Sequence, residues 1–249
     1  MKVVRNVLSR PTCDWIKLDE VDSTSTFLKR YIKMHRLVRP LVCLTQRQTA
    51  GYGQRQAVWL TNAHACIFSM AWPMSSHVIA PHLSLQVAVA LHQALCECTP
   101  SRLWLKWPND LYNQQGKVSG ILIEVDKDKT GQVCLVIGIG VNRLPLAPEQ
   151  LAIGAGGVDA FNSEEVVLAL IKRLSLSGFA HFDGDYWRQY DFFALGESVD
   201  LVCHQAGREP VIYQGISPKG EAMLQASTGL VKLVSAQKSL RKRRVSSEV

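Results

Sequence analysis

Apolar residues in this chain recur at two different intervals, and the intervals mark out strands and a few helices. Trp15-Ile16-Lys17-Leu18-Asp19-Glu20-Val21 reads as a strand, after which Phe27, Leu28, Tyr31 and Ile32 fall at helical spacing. Asp22 or Ser23 precedes that helix, where a short polar side chain accepts from a first-turn N–H, so either is the natural N-cap. Residues 41–45 and 65–72 read as buried strands, and 81–98 as a helix with Leu83, Val87, Leu91, Ala94 and Leu95 along its buried stripe. Residues 102–107 begin a central strand, and 118–125, 126–131 and 132–142 then follow as strand, turn and strand, making an antiparallel meander. After a loop at 144–159, Asn162 and Glu165 suit a capping box for a helix with Val166, Leu170, Ile171 and Leu174 on its apolar face. A second short helix near 185–192 closes this part.

From Leu195 onward the pattern changes to short strands at 198–203, 210–216, 222–226 and 229–234, punctuated by Gly207, Pro218-Lys219-Gly220 and Gly229. That rhythm predicts a small β-barrel. The fold expected is α+β: a mixed or antiparallel sheet flanked by helices over 1–193, a small barrel over 194–241, and a basic, disordered tail over 242–249.

At 249 residues and 47% hydrophobic, the chain buries a sizeable core in one large domain with room for a small second one. No apolar run is long enough to span a bilayer and the N-terminus lacks an apolar signal region, so a cytoplasmic location and no membrane partner are expected. The seven cysteines are scattered among apolar neighbours and read as reduced, buried thiols. Cys96-x-Cys98 is too tight for a zinc pair, and His64 with Cys66 alternates along a strand, half surface and half core. Lys238, Arg241, Lys242, Arg243 and Arg244 against Glu248 supply more than half of the net charge of +7. The basic excess is therefore a solvated end, and specific DNA binding is not expected.

The chemistry concentrates in Lys106-Trp107-Pro108-Asn109-Asp110-Leu111-Tyr112 and, after a polar loop, Gly116-Lys117-Val118-Ser119-Gly120-Ile121-Leu122-Ile123-Glu124. Lysines meet phosphate oxygens, a carboxylate holds Mg²⁺, and a strand glycine lets a ligand lie against backbone. The bland alternative is a surface hairpin in which Lys117 is a turn lysine and Asn109-Asp110 form the turn. Gly51-Tyr52-Gly53 follows a strand but lacks the third glycine of a dinucleotide fingerprint, since Gln56 stands there. Gly138-Ile139-Gly140-Val141-Asn142 lies among β-branched residues and reads as strand glycines opening space for a ligand.

The run KWPNDLYNQQGKVSGILIE closely resembles the catalytic segment of the biotin protein ligases, and the resemblance extends over about residues 14–241. It implies a class II synthetase-like core with an SH3-like C-terminal domain, including the turn at Gly215–Gly220 and the Ser239-Leu240-Arg241 ending. With 22 residues before Ser23, it also implies the short form without an N-terminal DNA-binding domain. The family places Ser-Thr-Asn at the first strand-to-helix junction to bind biotin; here Ser23-Thr24-Ser25 stands there. Its loop pattern Gln-x-x-Gly-Arg-Gly-Arg-x-Gly-Arg-x-Trp is met by Gln48, Gly51, Gly53 and Trp59, but Tyr52, Gln54 and Ala57 replace three arginines and Gln56 a glycine.

The implied reaction is ATP-dependent activation of biotin to biotinyl-5′-adenylate, then transfer to a lysine of a biotin carboxyl carrier protein, a subunit of acetyl-CoA carboxylase. Lys117 and Asp110 are the implied catalytic residues. Ser23, Thr24, Ser25, Gln48, Gly51, Tyr52, Gly53, Gln54, Lys117, Gly120 and Gly138 are implied for biotin, with apolar walls at Ile121, Ile123 and Ile139. Arg55, Trp59, Lys106, Asn109 and Asn142 are implied for nucleotide, and Asp110 for a Mg²⁺ that arrives with ATP; no tightly bound metal is expected. The protein is expected to be a monomer or homodimer. The alternatives are a lipoate or octanoyl ligase or transferase of the same fold, and a biotin binder of weakened catalysis. A transcriptional regulator would lack its reading module, and no Gly-x-Ser-x-Gly elbow supports a hydrolase.

Overall fold

The structure is a computed structural model that describes residues 8–10, 12–60, 62, 64–75, 80, 82–179, 182–203, 207–226, 229–233 and 238–243. Pro81, Val234 and the tail from 244 to 249 lie outside the described residues. Two sheets form. The larger has eight strands in the order β1-β2-β3-β4-β8-β7-β6-β5. They are β1 (Leu8–Arg10), β2 (Cys13–Val21), β3 (Leu41–Gln48), β4 (Cys66–Pro73), β5 (Trp104–Lys106), β6 (Asp110–Tyr112), β7 (Lys117–Lys127) and β8 (Val133–Val141). β2 and β3 run parallel because α1 (Thr24–Met34) carries the chain back between them, and the other neighbours are antiparallel.

Period-two alternation sends β8 side chains to two different cores. Leu135, Ile137, Ile139 and Val141 join the large cluster that includes α2 (Leu83–Cys98) and α4 (Ser163–Ser177), whereas Cys134 and Val136 join Leu28, Ile32 and Cys43 around α1. The expected stripes of α2 and α4 are buried throughout. Ser23 is the N-cap of α1, its hydroxyl accepting from the Thr26 N–H at 3.4 Å. Asn162 caps α4 through the N–H groups of Glu164 and Glu165, and Gly178, at φ 60°, ends it in the left-handed conformation that glycine adopts without strain.

The second sheet is antiparallel, ordered β12-β11-β10-β9-β13, from β9 (Ser198–Cys203), β10 (Gly207–Ile216), β11 (Ala222–Ala226), β12 (Gly229–Leu233) and β13 (Lys238–Lys242). The expected barrel is thus an open sheet among the described residues, with β12 and β13 as its edges. Lys242, expected in the tail, is the last residue of β13, opposite Val199, and its ammonium lies 3.3 Å from Glu197.

Four other expectations change. The strand at 102–107 is not central: β5 is the outermost strand, where the chain at Tyr190–Phe192 takes up the Leu105 N–H and C=O. β6 was not expected, because Asn-Asp reads as a turn. The 144–159 loop contains a short helix, α3 (Pro148–Ala152). His64 is in an exposed turn before β4, not on the strand with Cys66.

The two sheets meet beside α5 (Gly184–Gln189). Tyr213, Val199, Leu224 and Leu240 join the large core, and the Trp107 indole N–H donates to Gly220 O at 3.2 Å. Tyr213 donates its hydroxyl to Asp191 Oδ2 at 2.5 Å. Burial pushes the Asp191 carboxyl up to about 6, with Tyr213 and the Phe193 N–H pulling the other way. A carboxyl raised on folding favours the folded state at low pH, and that contribution fades as pH rises through about 6, at about 1.4 kcal/mol per unit of displacement. Asp191→Asn, which still accepts from Tyr213, should therefore gain in Tm on the wild type between pH 4 and 7; parallel melting curves would contradict this.

Candidate active site

On the α1 side of the large sheet, one region is thinned of side chains by glycines. Gly120 of β7 pairs with Gly140 of β8, and Leu122 with Gly138, which in turn pairs with Ser69 of β4. Directly opposed residues share a face, so three glycines hollow the sheet just where α1 begins. The result is a cavity of about 550 Å³. Every predicted site residue lines it except Gly51. A Cβ at Gly51 would lie 2.5 Å from the Gln48 amide nitrogen, so this glycine makes room for Gln48 instead. Ile121 and Ile139 border it, but their buried side chains belong to the large core on the sheet's other face, and Ile123 packs against that core too, so the expected isoleucine walls are not formed.

The inner end is polar and buried. Gln48 Oε1 accepts from the Thr24 N–H at 2.8 Å and from its hydroxyl at 3.0 Å. Ser69 Oγ lies 2.6 Å from Thr24 Oγ1 and 2.9 Å from Ser25 Oγ. Sequence reasoning missed Ser69; its signal was a hydroxyl inside the otherwise apolar run Ile67-Phe68-Ser69-Met70-Ala71. Gly138 is required here, because a Cβ would stand 2.7 Å from Ser25 Oγ.

The outer end is charged. β5, β6 and β7 form a tight meander that places Lys106, Asp110 and Lys117 together, and Lys117 Nζ is 2.6 Å from Asp110 Oδ1. Lys106 is buried, its ammonium 4.9 Å from the Tyr112 ring centre. Burial, with Lys117 and Arg241 nearby and Asp110 opposing, holds it below the ordinary lysine range. Arg241 and Ser239 reach the wall from β13. Arg55 sits exposed at the loop tip, so the cation added from outside the central motif is Arg241.

Asn109 and Asn142 line the cavity, but their side chains also hold its frame. Asn109 Nδ2 donates to Ile121 O, and Asn142 Nδ2 donates to Lys117 O at 3.2 Å. Gln150, buried and not foreseen, donates to Asn142 Oδ1 at 3.0 Å, while Gly154 O and the Gly156 N–H bond the backbone of Lys117. The 144–159 loop is thereby sewn onto the lysine's own strand.

Residues 51–59 fold as a small hairpin over the cavity. Trp59 N–H donates to Gly51 O at 3.0 Å, Tyr52 bridges Val58, and Gly53 N–H donates to Ala57 O at 2.8 Å. The Trp59 ring lies on the glycine floor, 5.5 Å from Lys117 Nζ.

Known proteins share this chain's sequence and fold. A model of the biotin/lipoate A/B protein ligase family matches residues 18–142. The chain belongs to this family. A biotin–[acetyl-CoA-carboxylase] ligase of Paracoccus denitrificans is 38% identical over 203 residues, 75% of this chain and 84% of that one. The bifunctional ligase/repressor BirA of Escherichia coli is 31% identical over 144 residues, 57% of this chain; the match spans 44% of BirA's length. Among solved structures, the Aquifex aeolicus biotin protein ligase in complex with biotin and ATP superposes with a TM-score of 0.77 at 30% identity, covering 92% of this chain and 99% of that one. The family read from KWPND and its glycine-lysine partner is borne out, as is the ligase core with a second β-sheet.

A Cβ at Gly140 would fall 2.5 Å from the Trp59 indole. The strand interior cannot yield, so Gly140→Ala should evict the ring and speed hydrogen exchange at the Trp59 N–H; unchanged protection there would show that the ring does not depend on this floor.

Proposed function

We propose that this chain is a biotin protein ligase that forms biotinyl-5′-adenylate from biotin and ATP and passes the biotinyl group to a lysine of a carboxyl carrier protein. The observation that carries the reading is one continuous cavity with a hydroxyl-and-amide end and a cationic end joined by a glycine-lined floor. A ureido ring offers two N–H donors and a carbonyl acceptor, which suits the Thr24, Ser25, Ser69 and Gln48 cluster. A dithiolane or plain acyl chain has no N–H donors or carbonyl to exchange bonds with this cluster, so it would gain nothing from it. This favours biotin over lipoate.

The two steps need positioning and charge rather than a covalent enzyme intermediate. With biotin's head among the hydroxyls beside Gly138, its carboxylate extends through the cavity toward Lys117, past the Trp59 ring that covers Gly120 and Gly140. Lys117 neutralises charge as the carboxylate adds to the α-phosphate and pyrophosphate leaves. Lys106 and Arg241 face the phosphates, and Trp59 offers an apolar surface to the base. A lysine amine of the carrier then attacks the mixed anhydride and AMP departs.

Magnesium would travel with the nucleotide. It keeps several waters and needs only one or two protein carboxylates, and Asp110 is the carboxylate in the wall. Among the described residues no cluster of three or more acidic, His or Cys groups exists to build a protein cage. When bound, the ion would neutralise phosphate charge, and Asp110 would exchange part of its contact with Lys117 for it.

Lys117→Met should cut biotin-dependent pyrophosphate exchange by about a hundredfold or more, since a preorganised charge at the reacting centre is lost. A matching loss of mass addition to a carrier domain's lysine is expected, and near-normal exchange would remove Lys117 from the mechanism. Gln54 replaces an arginine of the family pattern, so the adenylate is held by fewer cations. Gln54→Arg should slow its release from the protein; identical retention in both would mean the loop's charge does not hold it.

A further inference from the structure

The family pattern puts an arginine where this chain has Tyr52, and the structure gives that tyrosine a specific partner. Its hydroxyl donates to Glu124 Oε2 at 2.8 Å, while Lys29 Nζ donates to Glu124 Oε1 at 2.8 Å and lies 5.5 Å from the Tyr52 ring centre. Lys29 and Glu124 are each roughly one-quarter exposed, so the group is only partly screened by water. Burial alone would lower the Lys29 ammonium, but its contacts with Glu124 and Tyr52 outweigh that and leave it raised.

Geometry makes this group more than a surface pair. Glu124 follows Gly120 and Leu122 on one face of β7, so it marks the end of the cavity floor. Lys29 belongs to α1, whose first turn carries Thr24 and Ser25. Between Gly51 and Val58, among the described residues, Tyr52 makes the one side-chain hydrogen bond to the body of the protein. Gln54, Arg55, Gln56, Ala57 and Val58 are all exposed.

We infer that Tyr52, Glu124 and Lys29 form a latch that holds the 51–59 hairpin closed over the bound adenylate, with Glu124 and Lys29 as positioning residues. The latch does by a hydrogen bond to the scaffold what the absent arginines would do by direct charge. It rests on the proposed reading for its ligand, but its mechanical part stands in the free protein. A guanidinium at position 52 is also long enough to donate to Glu124, so the latch is set by the donor and not by the phenol ring.

The test compares full-length wild type, Tyr52→Phe, Glu124→Leu, which removes the acceptor, the double variant and Tyr52→Arg. In the free protein, hydrogen exchange at the Gly53 and Trp59 amides should speed up in both single variants while β4 amides keep their protection. After loading with biotin and MgATP, release of biotinyl-adenylate should be faster by about tenfold, the worth of one hydrogen bond to a charged group. The biotin KM should rise by far more than kcat falls. The double variant should be no worse than either single one, and Tyr52→Arg should restore retention. Unchanged loop exchange, unchanged release, additive losses, or an arginine variant as leaky as the phenylalanine one would each overturn the latch. A wild type without biotin-dependent pyrophosphate exchange would instead sink the functional reading, and loop exchange alone would then decide the latch.

Discussion

The site exists because a sheet face is left bare on purpose. A face of a sheet has to be covered, and α1 covers half of this one with Leu28 and Ile32. The remainder lies beyond the helix's first turn, where Gly120, Gly138 and Gly140 remove the side chains that would otherwise fill the gap. Glycine in a strand weakens it by conformational entropy and lost packing. β7 and β8 tolerate this because they are paired along nine consecutive residues and flanked by β4 on the other side. The cavity is therefore a property of the central ladder, and the loops only roof it.

The charged end depends on a different arrangement. Lys106, Asp110 and Lys117 come from three successive strands of a short meander at the sheet's edge, so their spacing is set by backbone ladders and not by side-chain flexibility. Edge strands are exposed to mispairing. Here the chain at Tyr190–Phe192 occupies the β5 edge, and the second sheet closes on it through Trp107 and Tyr213. That docking also brings Arg241 to the charged end. Three cations around one carboxylate repel one another, and burial adds to the cost at Lys106. Such an end is built to receive negative charge, and an anionic ligand relieves the strain that the free protein carries.

Much of this was readable from sequence where one local rule governs. Ser23 as N-cap, the stripes of α2 and α4, the β7–β8 hairpin and the strand glycines follow from spacing within a dozen residues. What escaped depended on distant partners. Ser69 is a polar interruption whose meaning appears only when Thr24 and Ser25 stand beside it. Arg241 reads as part of a basic end until β13 pairs with β9. Gln150 sits in what looks like a plain loop, although it is nearly inaccessible and bonded to Asn142. β5 was misplaced because its edge is protected by a segment some eighty-five residues later, which alternation along the strand cannot reveal.

The roofing hairpin carries its own tension. Arg55 and Gln56 both adopt left-handed backbone angles, φ 57° and 61°, which L-residues other than Asn and Asp rarely hold. Each costs about 1–2 kcal/mol relative to a right-handed conformation. The family pattern has glycine at the second of these positions, where the angle is free. With glutamine there, the closed hairpin must be held from its base, through the Gly51–Trp59 and Gly53–Ala57 bonds and the indole seated on Gly140. With the tip strained, the base contacts carry the closure, and loss of one of them tips the hairpin open. The departures from the family pattern thus change more than charge, because glutamine in place of glycine at position 56 strains the tip and leaves closure to the contacts at the base.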